Sequence, residues 1–186
     1  MDKEHIQYLA TALSQRGVSF ETGLSDSELK HLETTLGFTF LPDLHAFLRH
    51  ALPVSKGFPL WRQPSLEDVR SRLSWPADGI CFDIENNAYW GADWGAKPAN
   101  LRDAFAVARA KLAAAPVLIP IYSHRYIPSS PAEAGNPVYS VYQTDIIYYG
   151  FDLIDHLSTE FGFPRPPAYF RPIEPKKIAF WSNLVS

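Results

Sequence analysis

Asp83, Glu85, His124 and Arg125 are the side chains whose types and spacing could carry chemistry. Two carboxylates two residues apart share one face of a β-strand, where they could hold a cation or divide general acid and base work, and Asn86, Asn87 and Asp93 supply further oxygen ligands nearby. His124-Arg125-Tyr126 follows an apolar run and precedes Pro128, so these polar groups are expected at a strand end, with the histidine able to act as a base and the arginine to clamp an anion. A plainer account stands beside each. The carboxylates fit a solvated strand face, since no histidine joins them locally and a calcium loop needs a tighter rhythm of ligands. His124 and Arg125 fit hydrogen bonds to loop carbonyls. The usual nucleophile-elbow, zinc-helix, phosphate-loop and dinucleotide signatures are missing, and Cys81 in an apolar run is disfavoured as a thiolate. No histidine pairs with Cys81 at metal-ligand spacing, so neither a metal site nor any cofactor is expected.

Recognition chemistry is better represented. Trp90 and Trp94 flank Gly91 and Gly95 in a polar setting, and six of the nine tyrosines fall between Tyr122 and Tyr149. Tryptophan, tyrosine and arginine dominate the energetics of protein interfaces. On alternating strands half of the tyrosines should face outward. Residues 78–98 hold Asp78, Asp83, Glu85 and Asp93 against Lys97, a local charge of −3 that equals the excess of the whole chain. The expected binding surface is therefore Asp83, Glu85, Trp90, Trp94, His124, Arg125, Tyr126, Tyr142 and Tyr148, facing a basic protein partner, with the loop from Pro53 to Pro64 as the next most plausible contact.

The elements that must position these residues follow from periodicity. Ile6, Leu9, Ala10 and Leu13 predict a helix over 3–16. Ser25 with Glu28 forms a capping box, Leu24 can staple onto Leu29, and Gly37 ends that helix; Pro42 opens a third. A short helix with Leu66, Val69 and Leu73 inward is expected to close at Trp75-Pro76. Ile80, Phe82 and Ile84 then alternate with Cys81, Asp83 and Glu85 at the period of a half-buried strand. Asn100 with Asp103, and Asp152 with Asp155, mark two further helix starts. Residues 117–122 predict a strand whose Pro120 requires an edge or a bulge, and 138–143 with 145–149 predict a tight hairpin or one bulged strand. Five prolines between Phe163 and Pro175 predict a surface strap, from which Ile178, Phe180, Trp181 and Leu184 can dock back.

With 186 residues, 46% of them hydrophobic and 20% charged, the chain is expected to build one domain of class α+β, with residues 1–23 as an N-terminal helical extension and 163–186 as the strap. A formal charge of −3 favours neither direct nucleic-acid binding nor an anionic membrane. The charged N-terminus, the absence of an apolar run near 18 residues and the solitary Cys81 together lead us to expect a cytoplasmic protein.

Three stretches occur in a familiar order: Leu24 to Leu29 through Leu36-Gly37 to Leu41-Pro42-Asp43-Leu44; Tyr89-Trp90-Gly91 with Asp93-Trp94-Gly95; and Pro120 to Pro128 with Gly135-Asn136-Pro137-Val138-Tyr139-Ser140-Val141. Over about residues 24–161 the chain resembles the bacterial branch of the SUKH superfamily, the Smi/Knr-type domain. The resemblance implies a largely antiparallel mixed sheet flanked by helices, used as a protein-binding scaffold without catalytic residues. Bacterial relatives are inferred to be immunity proteins that neutralise polymorphic toxins, many of them nucleases, and fungal relatives coordinate cell-wall synthesis. One departure is visible: Leu52-Pro53 follows the helix that Pro42 opens, where relatives place a glycine, and Gly57 arrives late. Two other classes of function remain open, a small hydrolase or metal-assisted enzyme using His124 with Asp83 or Glu85, and a scaffold in cell-envelope regulation.

Overall fold

A computed structural model describes residues 1–186 and shows an α+β fold of six helices and two antiparallel sheets. Helix α1 (Lys3–Gln15) is capped by the Asp2 carboxylate, which accepts from the His5 N–H, and it buries Ile6, Leu9 and Leu13 as one stripe. A short strand β1 (Phe20–Thr22) follows, then α2 (Asp26–Leu36) with both halves of the Ser25–Glu28 capping box made. Leu24 and Leu29 are both buried at that start, as the staple requires. Helix α3 (Pro42–His50) runs directly into β2 (Ala51–Pro53), which pairs with β1. Neither short strand carries enough alternation to be read from sequence; each forms because its partner lies across the α2–α3 unit.

The largest difference from expectation is α4, a single helix of 20 residues, Glu67–Asn86, that contains both Pro76 and the run from Ile80 to Glu85. Proline lacks the N–H that would bond the carbonyl four residues back, here that of Arg72. The Tyr126 hydroxyl donates to that carbonyl at 3.0 Å. The orphaned acceptor is thus satisfied from another element, and the helix passes through the proline. Ile80 and Ile84, four apart, are buried on one helical face, while Phe82 between them is 48% exposed. A period of four had been taken for a period of two.

Helix α5 (Leu101–Ala113) starts at Asn100, whose side chain accepts from the Asp103 N–H. Four strands then meander: β3 (Leu118–Tyr122), β4 (Arg125–Pro128), β5 (Val138–Tyr142) and β6 (Asp145–Gly150), in spatial order β3-β4-β5-β6. Pro120 lies on the edge strand and beside a register shift, so both of its expected accommodations occur. Strand β4 differs from the sequence expectation, which ends the preceding strand before residues 125–128. The 138–149 segment is a hairpin with Gln143-Thr144 as its two-residue turn. Helix α6 (Leu153–Phe161) is capped by Asp152 and ends at Gly162.

The four-stranded sheet separates two apolar clusters because its side chains alternate. Ile119, Ile121, Ile127 and Val138 face a cluster built with α1, α2, α3 and α6. Leu118, Tyr126, Tyr139, Val141 and Ile146 face another, closed by Ile80 and Ile84 of α4, Ala104 and Ala108 of α5, and the C-terminal strap. The strap is fastened by named contacts. Arg165 and Arg171 both bond the buried Asp155 carboxylate, the Tyr169 hydroxyl donates to Asp152 at 2.8 Å, and the Trp181 indole N–H reaches the Pro116 carbonyl at 2.7 Å. Val185 bridges to Ile146 and so covers the free edge of β6. No helix is long and apolar enough to cross a membrane.

Candidate functional site

The turns Ser123-His124 and Gln143-Thr144 lie at the same end of the sheet, because Arg125 pairs with Ser140 and Val141 N–H donates to the His124 carbonyl at 2.9 Å. Both are two-residue hairpin turns whose first residue has positive φ, 49° at Ser123 and 56° at Gln143, the twist that such turns require. A cleft of ≈ 560 Å³ opens at this end, walled by the Ser123-His124 turn, by Tyr142 at the end of β5, by the first half of α4 and by the 56–57 loop. Its lining includes Lys56, Asp68, Arg72, Trp75, His124 and Tyr142, with Tyr126 below.

Each wall is tied to the next. Ser123 N–H donates to the Gly57 carbonyl at 2.8 Å, and Gly57 needs its glycine twice: φ is 102°, and a Cβ would stand 2.5 Å from the Tyr122 ring. Arg72 bonds Asp68 at 2.9 Å through Nε and the Ser123 carbonyl at 3.2 Å through Nη1. Further along α4, Asp83 holds the second turn. Its Oδ2 accepts from the Thr144 N–H at 2.9 Å and from the Thr144 hydroxyl at 2.5 Å, and its Oδ1 accepts from Asn87 at 2.6 Å. Gly79 lets α4 approach that turn, since a Cβ there would lie 2.8 Å from the Gln143 Cα. Burial alone would raise the Asp83 carboxyl, but these hydrogen bonds outweigh it and the pKa is lowered.

The nine residues expected to form one surface are therefore distributed differently. Asp83 is buried and fully engaged as a turn anchor, a correction to its expected place on an exposed acidic face. Glu85 is exposed on the last turns of α4 and does not line the cleft. The acidic stretch is further dismantled by an ion pair between Asp78 and Arg109, while Lys97 caps α4 through the Ile84 carbonyl at 3.0 Å. Trp94 is buried and stacked near Phe180 of the strap, and Trp90 packs edge-on against Trp94 with its indole N–H on the Gly95 carbonyl. Tyr148 donates to Ser182 Oγ at 2.7 Å, the same oxygen that accepts from the Ile178 N–H. Trp94 and Tyr148 thus bind the chain's own strap, and Trp90 backs Trp94. Tyr126 is buried at the cleft floor, and burial pushes its phenol upward. Arg125 is largely covered: it pairs with Glu160 at 3.0 Å, bonds Ser140 and lies 3.6 Å from the centre of the Tyr149 ring.

His124 and Tyr142 remain at the cleft, half-buried and 55% exposed respectively. The His124 imidazole is held below its ordinary pKa by burial and by the neighbouring Arg125 charge, and its Nδ1 lies 3.1 Å from the Ser123 hydroxyl. It shares no hydrogen bond with Asp83 or Glu85, the carboxylates that the hydrolase alternative would pair with it. No group of three or more His, Cys, Asp or Glu side chains converges as metal ligands would. Cys81 is buried on α4, where desolvation pushes its thiol up.

Trp75 has no place in the expected surface, and Lys56 enters it only as part of the Pro53 to Pro64 loop. Trp75 is 47% exposed, and its sequence context marks it only as the residue before a helix-ending proline. The signal was available: Val69, Pro76, Ile80 and Ile84 mark the buried stripe of a continuing helix, and Trp75 falls off it. No protein-family model, curated protein or solved structure matches the chain.

Proposed function

We propose that this protein is a non-catalytic, protein-binding module that engages its partner at the hairpin-turn end, with Trp75 and Tyr142, which both line the cleft, as anchors. The observation that carries this reading is the pairing of two large aromatics, 47% and 55% exposed, on a scaffold already fixed by hydrogen bonds. Aromatic anchors on a preorganised surface lose little freedom on binding and so make efficient interface centres. The cleft's histidine without a carboxylate partner favours recognition over hydrolysis.

The likeness of motif order to the SUKH superfamily supports a more specific version, an immunity-type protein that neutralises a toxin by stoichiometric binding in the cytoplasm without a cofactor. Lys56 and Gly57, which line the cleft, come from the same loop in which this chain departs from those relatives. A partner-specific contact is expected where relatives differ.

The test uses the full chain as bait in its native host, with identification of what copurifies and measurement of the affinity of the purified pair. A folded Trp75→Ala/Tyr142→Ala double variant is expected to weaken that pair at least tenfold. Undiminished affinity in the double variant would remove the proposed surface.

A further inference from the structure

The charges that line the cleft do not cancel. Asp68 and Arg72 offset each other through a contact of 2.9 Å, and Asp68 Oδ2 also accepts the Leu60 N–H at 3.0 Å. Arg72 is further held by the Ser123 carbonyl. Lys56 is exposed and lies in no salt bridge. His124 contributes no charge near neutrality, since burial and Arg125 hold its pKa down. The cleft therefore carries one uncompensated positive charge, in a chain whose formal charge is −3.

Beside that charge the rims are aromatic. Trp75 stands on α4 and Tyr142 on the end of β5, with Tyr126 beneath and the Asp83–Thr144 bonds fixing the turn that follows Tyr142. A volume of ≈ 560 Å³ falls within the range of sites that enclose a side chain or small ligand. A single ammonium beside two aromatic rims suits a monoanion attached to an apolar group. A phosphate dianion would leave charge unmatched, and a basic segment would meet Lys56 with repulsion.

We infer that the cleft takes an acidic, apolar-bearing segment of the partner protein, its carboxylate on Lys56 and its apolar side chain between Trp75 and Tyr142. The inference rests on the protein-binding reading above and reverses the sign of partner expected from the acidic run of residues 78–98.

The full-length protein, titrated while the Trp75 indole N–H resonance is followed, provides the test. The probes are a capped tetrapeptide alternating glutamate and phenylalanine, the same peptide with lysine for glutamate, 3-phenylpropionate and inorganic phosphate. The glutamate peptide should shift the resonance saturably and bind at least tenfold tighter than the lysine peptide, and Lys56→Glu should reverse that order. Tyr142→Ala should weaken the glutamate peptide without changing the preference for charge. Equal binding of both peptides, an unchanged preference in Lys56→Glu, tighter binding of phosphate, or no saturable shift with any probe would overturn the inference. Binding of 3-phenylpropionate as tight as the peptide would overturn the assignment to a protein segment in favour of a small aromatic acid. The two readings fail separately. A native partner lost from the Trp75→Ala/Tyr142→Ala variant but retained by Lys56→Glu would leave the surface standing and sink the acidic segment. Charge-selective peptide binding with a partner indifferent to the cleft would do the reverse.

Discussion

Trp94 and Trp75 carry the same indole, yet Trp94 is stacked within a cluster that the C-terminal strap closes, and Trp75 stands half in solvent on the rim of a cleft. The strap-covered side gathers Trp90, Trp94, Tyr139, Tyr148, Phe180 and Trp181; the turn end gathers Trp75, Tyr126, Tyr142 and His124. Composition makes the two regions alike. What separates them is that one has an occupant from its own chain, held by Ser182 Oγ and the Trp181 indole, while the other has its walls fixed and its aromatics uncovered. A cluster of aromatic residues in a sequence thus identifies contact surface without saying whether the contact is internal.

Substitution should break this comparison most sharply on the covered side. Trp181→Ala removes a buried indole and the bond to Pro116, and we expect a loss of about 3 to 5 kcal/mol in denaturant unfolding, with the strap becoming open to limited proteolysis. An unchanged midpoint would mean that the strap does not close the second cluster.

Tyr126→Phe joins the two regions, because the hydroxyl that lines the cleft floor also satisfies the Arg72 carbonyl that Pro76 leaves free. Loss of that donor should cost about 1 to 3 kcal/mol. A Tyr126→Phe/Pro76→Ala double variant, which restores the helical N–H, should recover most of it. Failure of Pro76→Ala to rescue would separate the tyrosine from the helix.

Outside both regions, His156 of α6 is fully buried, with neither ring nitrogen hydrogen-bonded and its pKa pushed down to about 3 by burial and by Arg125. The groups around it are Arg125, Asp155 and the Tyr149 ring. Its folded value lies below the unfolded value near 6.5, so as pH falls the unfolded chain takes up the proton first. Its contribution is complete above about pH 6.5 and declines toward pH 3, by on the order of 1 kcal/mol per pH unit. His156→Leu should flatten stability between about pH 6.5 and pH 5, before the loss from carboxylates such as Asp155 sets in, and leave stability at pH 7 nearly unchanged. A slope in that window equal to the parent's would assign the acid sensitivity to other groups.

The smallest effect is expected at the open end. Trp75→Ala should change stability by no more than about 0.5 kcal/mol while altering binding, the opposite of Trp181→Ala. A large destabilisation would show that Trp75 packs as core and that the contrast is one of degree.

Several features were legible in the sequence because they are made by near neighbours. The Ser25–Glu28 box, the Asn100 and Asp152 caps and the helix end at Gly162 each depend on groups a few residues apart. Pro120 announced an edge strand, and Ile178 and Trp181 announced the docking of the strap. The misreadings share a different cause. Ile80, Phe82 and Ile84 satisfy both the strand and the helix period over so short a run, and Pro76 tipped the reading toward a break. The expected surface failed with that reading, since placing Asp83 on a strand face made its carboxylate a contact and placing it on α4 makes it an anchor.

The residues by themselves determined most of the helices, the 138–149 hairpin and the strap, and that aromatic recognition chemistry was abundant. They did so because caps, turns and hydrophobic periods are set within one or two helical turns of chain. Which aromatics are exposed, and whether a carboxylate is free, was decided only by tertiary structure. Tyr126 reaches Arg72 across 54 positions and Thr144 reaches Asp83 across 61. Bonds of that span depend on where the whole chain folds back, and they leave no periodic trace in the sequence near either partner.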